Sequence, residues 1–488
     1  MFKEIMFHEL RNIILSKKVT ISFTIAALLM LLSVALGISN YTAQMRSYNT
    51  LVNLNEQQMR EAKNWMRLSS NAIRKPSPVQ IFVSGVNFDI GRFSHVSSFE
   101  PVSVNHSVYS DDPFYSVFRF LDFSFITVFV LSLFILVFTY DAVNGEAENG
   151  TLKLVFSNPV PRAVFLLGKA AGIWCGILIP LLVPMLLSLA LVMISGISLT
   201  SGDYMTILGI FGMVLLFCTF FVLLGLLLSV LIKRPSVSFL SALAAWMLFT
   251  CIIPRAGILL AGQLLYVPGI QELKGGQEQY EKQKWAEYTK SLQVKWLERE
   301  SSVQKLPFEE QKEYRDKYNP VWSEEDENAR QVIQKDMEQH FTDLLENLKN
   351  SKRQFEKLAL FFARFSPVAS FQLTVMDMTG SDIGMKNRFE DAISRYKKDF
   401  TAFKDKKQKE AGTPGGIRIE FNSNTGIKID AGRDKGTLDI SGVPRFQSAS
   451  IAGPDSMSSF IINGGLLAIM SLALFGVAFT AFLKFDMR

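Results

Sequence analysis

The chain has 488 residues, 49% hydrophobic and only 20% charged, with 40 phenylalanines against 4 histidines, and its mean hydropathy is +0.20. Soluble domains carry about 25% charged residues, so a large part of this surface does not meet water. A net charge of +6 does not mark a nucleic-acid binder, and three cysteines (Cys175, Cys218 and Cys251), each inside an apolar run, exclude a secreted disulfide scaffold.

Residues 1–18 are mixed, with Phe2, Ile5, Met6, Leu10 and Ile13 on one side of a helix. A bilayer core about 30 Å thick needs about 20 apolar residues in helical form, and 19–39 is the first segment to supply them. It lacks a small-residue cleavage site and is predicted to be a retained span. Region 41–121 follows. In it 41–75 reads as a helix carrying Met45, Leu51, Leu54, Met59 and Trp65, ended by Lys75-Pro76-Ser77-Pro78, and 79–85 alternates like a strand. The second span is 122–140 and the loop 141–169 leads to spans at 170–195, 204–232 and 237–259. Region 260–458 is highly charged, with acids and bases in balance. Its segments 271–300 and 324–363 are predicted as two long helices forming a hairpin. Val332, Met337, Phe341, Leu344, Leu348, Phe355 and Leu358 supply the second with an apolar stripe, and Pro307 and Pro320 bracket the connection. A third helix, 383–410, ends in Lys404-Asp405-Lys406-Lys407-Gln408-Lys409, which reads as a solvated helix end with cations near the negative pole. Strands at 417–421, 427–430 and 437–440, separated by Asn/Gly turns, predict a small antiparallel sheet. The last span is 459–483. The expected fold is an all-α polytopic membrane protein with six spans and a mainly helical extracytoplasmic domain carrying a small antiparallel β element.

Basic residues in short loops set orientation. Lys3, Arg11, Lys17, Lys18, Lys153, Arg162, Lys169, Lys233, Arg234, Lys484 and Arg488 all fall on one side if both termini are cytoplasmic, whereas the loop 196–203 has none. Regions 41–121 and 260–458 are then extracytoplasmic.

The chain offers no catalytic constellation. His8-Glu9 starts like a zinc-protease helix, but position 12 is Asn. His8, His95, His106 and His340 are scattered, without metal-ligand spacing. Gly168-Lys169 lacks the upstream glycine and the following Ser/Thr of a phosphate-binding loop, so the chain is not expected to bind ATP, metal or any cofactor itself. Charges near spans carry two readings. Asp122, three residues after Arg119, and Arg255, after Pro254, are either interfacial salt-bridge or headgroup contacts or the lining of a substrate path.

The loop after the second span is the most informative segment. It reads Asp141-Ala-Val-Asn-Gly-Glu146-Ala-Glu148-Asn-Gly150-Thr151-Leu152-Lys-Leu-Val-Phe156-Ser157-Asn-Pro159-Val-Pro-Arg162, with Gly168-Lys169 opening the third span. Glu146 and Glu148 complement the positive end of a short helix. Leu152, Leu154, Val155 and Phe156 offer it an apolar face, and Asn158-Pro159 stops it. Such a helix suits protein docking; a turn lying in the headgroups is the other reading.

Glu-x-Glu-x-Gly-Thr-Leu, then Ser-x-Pro-Val and an Arg, then Gly-Lys, resembles the hallmark loop of the type-2 permeases of ABC transporters. The start of the chain is similar to that family's membrane-surface connecting helix; its other reading is simply the start of the first span. The 76–85 stretch, Asp122, Phe365-Ser366-Pro367 and Val443-Pro444-Arg445-Phe446 resemble a subfamily with large outer domains, which includes permeases linked to multicopper-enzyme maturation and gliding. The resemblance implies a cytoplasmic ABC ATPase partner that holds ATP and Mg, and a second permease copy or paralogue. It also implies a coupling helix whose ATPase contacts are Glu146, Glu148, Gly150, Thr151, Leu152, Phe156, Ser157, Pro159 and Arg162. Two functions follow from it. One is export of a lipid-like, peptide-like or amphipathic substrate past Arg119, Asp122 and Arg255. The other is mechanotransmission, in which ATP hydrolysis moves the outer domains against an envelope or periplasmic protein.

Overall fold

The computed structural model describes residues 1–63, 65, 68–97, 104, 107, 121–410, 418–422, 426–430, 438, 440–448 and 456–484. Contacts divide the chain into two units, Met1–Ile252 with Arg364–Arg488, and Ile253–Ala363. Among the described residues six helices are long and apolar enough to cross a membrane: Lys17–Glu61, Phe123–Glu148, Arg162–Ile194, Ser201–Leu231, Pro235–Leu264 and Met457–Leu483. Each overlaps one of the six predicted spans, the first running well past it, and the protein is an all-α polytopic membrane protein with small two-stranded antiparallel sheets.

In the first unit, α1 (Phe2–Ile14) is followed by α2 (Lys17–Glu61) and the strands β1 (Ser70–Ile73) and β2 (Phe93–Val96). Helix α3 runs through Phe123–Phe125, a π-helical stretch Ile126–Leu131 and Ser132–Thr139. Then come α4 (Asn144–Glu148), α5 (Thr151–Phe156), α6 (Arg162–Ile194), α7 (Ser201–Leu231) and α8 (Pro235–Met247).

Helix α7 is the centre of this bundle and buries Ile210, Phe217, Phe221 and Leu226. Its Gly225 permits the approach of α3, since a Cβ there would lie 2.7 Å from Cβ of Thr139.

Two expectations for the region after the first span are corrected. Helix α2 ends at Glu61 rather than running to 75, and β1 pairs with β2 in the register Ser70↔Val96 to Ile73↔Phe93. The chain doubles back because the Asn55 side chain takes the Asn71 amide at 2.7 Å and donates to Ser70 Oγ at 3.2 Å, a tertiary contact that overrides local helix propensity. The 79–85 stretch is no strand either. Pro78–Ile81 is a 3-10 turn, and Val79, Ile81, Phe82 and Val83 all bury into the bundle. Phe82 packs edge-on against Phe123 and Phe211.

The second unit contains α9 (Ile253–Leu264), α10 (Ile270–Gln304) and α11 (Phe308–Ala363). The predicted hairpin of α10 and α11 is present, but Pro320 does not bracket its connection; it sits inside α11, which is 56 residues long. Pro320 and Asp316 are both exposed, a position at which solvent is available to the carbonyl that the missing N–H releases. Polar contacts close the hairpin where the apolar stripe is thin. Arg299 clamps Asp326 at 2.7 and 3.0 Å, and Tyr280 stacks on His340 at 3.8 Å.

Region 260–458 is therefore not one body. From Arg364 onward the chain belongs with the first unit, and α12 (Pro367–Thr379), unrecognised in the sequence, packs there against α7 and the last helix, α14 (Ser456–Leu483). Thirteen residues make about 20 Å of helix, too short to cross a bilayer. Ser366 caps α12 by accepting from the Val368 and Ala369 amides, and it donates to the Phe249 carbonyl at 2.6 Å. Phe249 lies in a π-helical turn, Leu248–Ile252, five residues before Pro254. Its carbonyl would look to the N–H that Pro254 lacks, and Ser366 supplies the donor instead.

Helix α13 (Met385–Glu410) places Phe389, Ile393, Tyr396 and Phe400 in a second apolar cluster with Met59, Trp65, Leu68 and Val96. Lys404 alone departs from the reading of a solvated helix end, for it is 3% exposed and donates to the Leu68 carbonyl at 2.8 Å, whereas Asp405, Lys406 and Lys409 are exposed. Strands β3 (Arg418–Asn422) and β4 (Gly426–Asp430) form the expected hairpin. Of the third expected strand only Leu438 and Ile440 are described, and neither is in a strand.

Substituting Gly225→Ala should lower the melting temperature by the equivalent of about 1–3 kcal/mol, the usual cost of overpacking. Gly212→Ala, where a Cβ meets nothing within 4 Å, should leave it unchanged. Equal losses in both would refute close packing at this crossing.

Candidate functional site

The singled-out loop is pinned at its start by the ends of two spans. Ser229 Oγ of α7 accepts the amides of Val143 and Asn144 at 2.7 and 3.2 Å. The Asn144 side chain donates to the Ile232 carbonyl at 2.9 Å, and Ser238 donates to the Tyr140 carbonyl at 2.7 Å. These contacts satisfy amides and carbonyls that helix ends leave free.

The loop then forms two short helices, α4 and α5, separated by Gly150 at φ +75°. Nothing lies within 4 Å of a Cβ built there, so backbone conformation, not space, calls for glycine. Thr151 Oγ1 donates to the Glu146 carbonyl at 3.1 Å across the bend.

Helix α5 is held by one face. Leu152 is buried, and Phe156 lies 5.2 Å from Phe165 and 6.3 Å from Phe482 between ring centroids. Arg162 donates to the Leu483 carbonyl at 2.5 Å. On the other face Glu148, Thr151, Lys153 and Ser157 are exposed with Pro159, and Leu154 is 69% exposed. The expected apolar face is thus divided: Leu152 and Phe156 anchor the helix, and Leu154 is presented outward.

Glu146 points inward to the strongest polar feature of the bundle. Lys169 Nζ, on a side chain 3% exposed, is 2.5 Å from Glu146 Oε1 and 3.0 Å from Glu9 Oε2. One ammonium therefore joins α1, the loop and α6. Helix α1 can reach it because α6 carries Gly168, Gly172 and Gly176 on one face. A Cβ at Gly172 would lie 2.7 Å from Glu9 Cβ and from the Met6 carbonyl oxygen, and one at Gly176 would meet Ile13. Small residues at four-residue spacing let two helix backbones approach closely. The amphipathic face read in the sequence, Ile5, Met6 and Ile13 included, is the face that packs on α6.

Other predicted site residues lie elsewhere. Asp122 caps α3 by accepting from the Phe125 amide at 2.8 Å, and it also accepts from the amide and hydroxyl of Ser84 at 3.1 and 3.0 Å. Arg255 is exposed and belongs to the second unit, and Arg119 is outside the described residues. Glu9, Asn144 and Ser229 were not singled out in the sequence. Lys169 could have revealed Glu9, since a lysine opening an apolar span needs a counter-charge on a neighbouring element.

Replacing Lys169 with Met should leave two carboxylates facing each other, with a loss on the order of 3 kcal/mol. The double change Lys169→Met/Glu9→Gln should recover part of it. Thermal melting of the purified protein reads both; additive losses would show that Glu9 and Lys169 are not coupled.

No curated protein matches the chain. The sequence model of the family described as ABC-2 family transporter protein matches residues 4–383, a stretch that takes in α1 to α12 and leaves α13, β3, β4 and α14 beyond it. Matched over most of its length and built as a six-span bundle, the chain belongs to the ABC-2 transporter family, as a multi-pass permease component of an ABC transporter.

Proposed function

We propose that the protein couples ATP hydrolysis by a separate cytoplasmic ABC ATPase to export of a lipid-like, peptide-like or amphipathic substrate, in a complex with a second permease copy or paralogue. Family membership implies the ATPase partner. The observation that carries the coupling assignment is the two-faced α5, with Leu152 and Phe156 fixed in the bundle and Leu154 exposed among Glu148, Thr151 and Ser157. An apolar side chain ringed by polar ones is the usual centre of a protein contact. Force on this face reaches α6 through Phe156–Phe165 and through Glu146–Lys169, and force on α1 reaches the same lysine through Glu9. The bundle then changes arrangement as a rigid body biased by nucleotide state on the partner. Both termini lie in the cytoplasm of this reading, with 41–121 and 260–458 outside a bacterial inner membrane.

A second reading, mechanotransmission, is favoured by α11. Its 56 residues make a rod about 84 Å long, and no export step requires such a rod. In this reading the hairpin moves an envelope or periplasmic partner, and nothing crosses the bilayer.

In the complex reconstituted with its ATPase, Glu148→Lys, Leu154→Asp and Gly150→Pro should each cut permease-stimulated ATP hydrolysis about tenfold or more while membrane insertion stays normal. Proline cannot adopt the positive φ of Gly150. Wild-type stimulation in all three would remove the coupling assignment. A spin label at the exposed Val332 that responds to ATP while no lipid or peptide appears outside the vesicles would favour mechanotransmission over export.

A further inference from the structure

Two arginines between the first and second spans lie side by side, Arg74 buried and Arg92 half-buried, with no acid paired to either among the described residues. Arg74 follows β1, Arg92 precedes β2, and the Arg74 amide donates to the Arg92 carbonyl at 2.8 Å, so the strand pair itself holds them together. Arg74 is 6% exposed. Its Nη1 donates to Asn87 Oδ1 at 3.0 Å and to the Met385 sulfur at 3.3 Å, and its Nη2 reaches the carbonyls of Asn87 and Ile90 at 3.3 and 3.5 Å. Arg92 Nη2 donates to Gln44 Oε1 at 2.5 Å and to the same Asn87 Oδ1 at 3.0 Å. Every one of these acceptors is neutral. Arg74 Nε and Arg92 Nη1, both buried, have no acceptor among the described residues.

Moving a guanidinium out of water costs several kcal/mol unless an opposite charge accompanies it, and a second cation alongside adds to the cost. Burial pushes Arg92 down to about 10, and burial with the charge of Arg92 pushes Arg74 down to about 9. Apolar side chains would fill the same volume without that cost. Two planar forks sharing one oxygen, each with an N–H to spare, match the geometry by which arginines hold an oxyanion. Asn87 Oδ1 already stands where a bridging anionic oxygen would stand.

A cleft of about 20 Å³, room for one water, adjoins the amides that bind the pair, although neither arginine lines it. Gln44 and Asn87 form part of its wall, with Ser77, Ser84 and Asp122. The carboxylate of Asp122 is engaged by Ser84 and the Phe125 amide. The same two amides that accept from the guanidiniums thus also border the cleft, and turning them outward would free the N–H groups that they now occupy.

We propose that Arg74 and Arg92 form a binding site for a phosphate-type oxyanion, with the Gln44 and Asn87 amides holding its place when it is empty. Gln44 lies five residues beyond the predicted end of the first span at 39, at the depth of lipid headgroups, so the phosphate is either that of a lipid or that of a soluble anion.

The test uses the full chain in a phosphate-free maltoside detergent and reads thermal melting. Inorganic phosphate is titrated against potassium chloride at equal ionic strength, and phosphatidylglycerol against diacylglycerol. The wild type should gain several degrees with phosphate if the ligand is soluble, or with phosphatidylglycerol alone if it is a headgroup. Arg92→Gln should weaken the response at least about tenfold. Without any oxyanion Arg92→Gln should melt at or above the wild type, because one of two repelling charges is gone, and this comparison does not require Arg74→Gln to fold. The proposal is overturned if neither probe moves the wild type, or if Arg92→Gln responds as the wild type does. It is also overturned if Arg92→Gln melts well below the wild type in the absence of both probes.

Discussion

A lysine ammonium with almost no access to water has to find negative charge, and in this bundle it finds two carboxylates on two different elements. Lys169 fixes Glu9 of α1 and Glu146 of the loop at one point on α6. Helix α4, five residues long, has little apolar surface of its own, and on α1 the ion contact adds to the apolar face that packs on α6. The buried charge supplies direction as well as attachment. An apolar contact tolerates sliding, whereas a three-way ion contact costs several kcal/mol to break by any displacement that strands one partner. The glycine face of α6 makes the contact possible by bringing the α1 backbone close enough for a glutamate to reach.

The same logic orders the rest of the first unit. Short polar links at helix ends replace hydrogen bonds that the chain has given up: Asn144 and Ser229 at the start of the loop, Asp122 at the start of α3, and Ser366 against Phe249. In lipid a backbone carbonyl without a donor is expensive, so these side chains are conditions of the bundle rather than ornaments on it. Gly225 against Thr139 and Gly172 against Glu9 show the complementary device, in which a missing side chain permits a contact.

The six spans were legible because twenty apolar residues in a row have few other uses, and the helical character of the loop after the second span because its apolar run stands between Gly150 and Pro159. What escaped was decided by contacts between distant residues. Helix α12 is thirteen residues long and polar enough to pass for part of the outer region, yet its Val368, Phe371 and Val375 belong to the bundle core. Helix α2 stops at Glu61 with no glycine or proline to announce it, because Asn55 binds the returning chain. Pro320 announced a break that exposure to water made unnecessary. The loop residues named from the motif divide into those that hold the helix in place and those that face out, and a motif read in one dimension cannot separate the two sets.

The link from Ser366 to Phe249 spans 117 positions, and that distance sets an order of assembly. A ribosome delivers the fifth span long before it delivers the residue that completes the span's hydrogen bonding. The whole of α10 and α11 must be synthesised in between. During that interval the Phe249 carbonyl needs a provisional donor, from water or from the insertion machinery. That seam therefore closes only after the hairpin has been synthesised, and a chain truncated within α11 would lack the Ser366 donor for its fifth span.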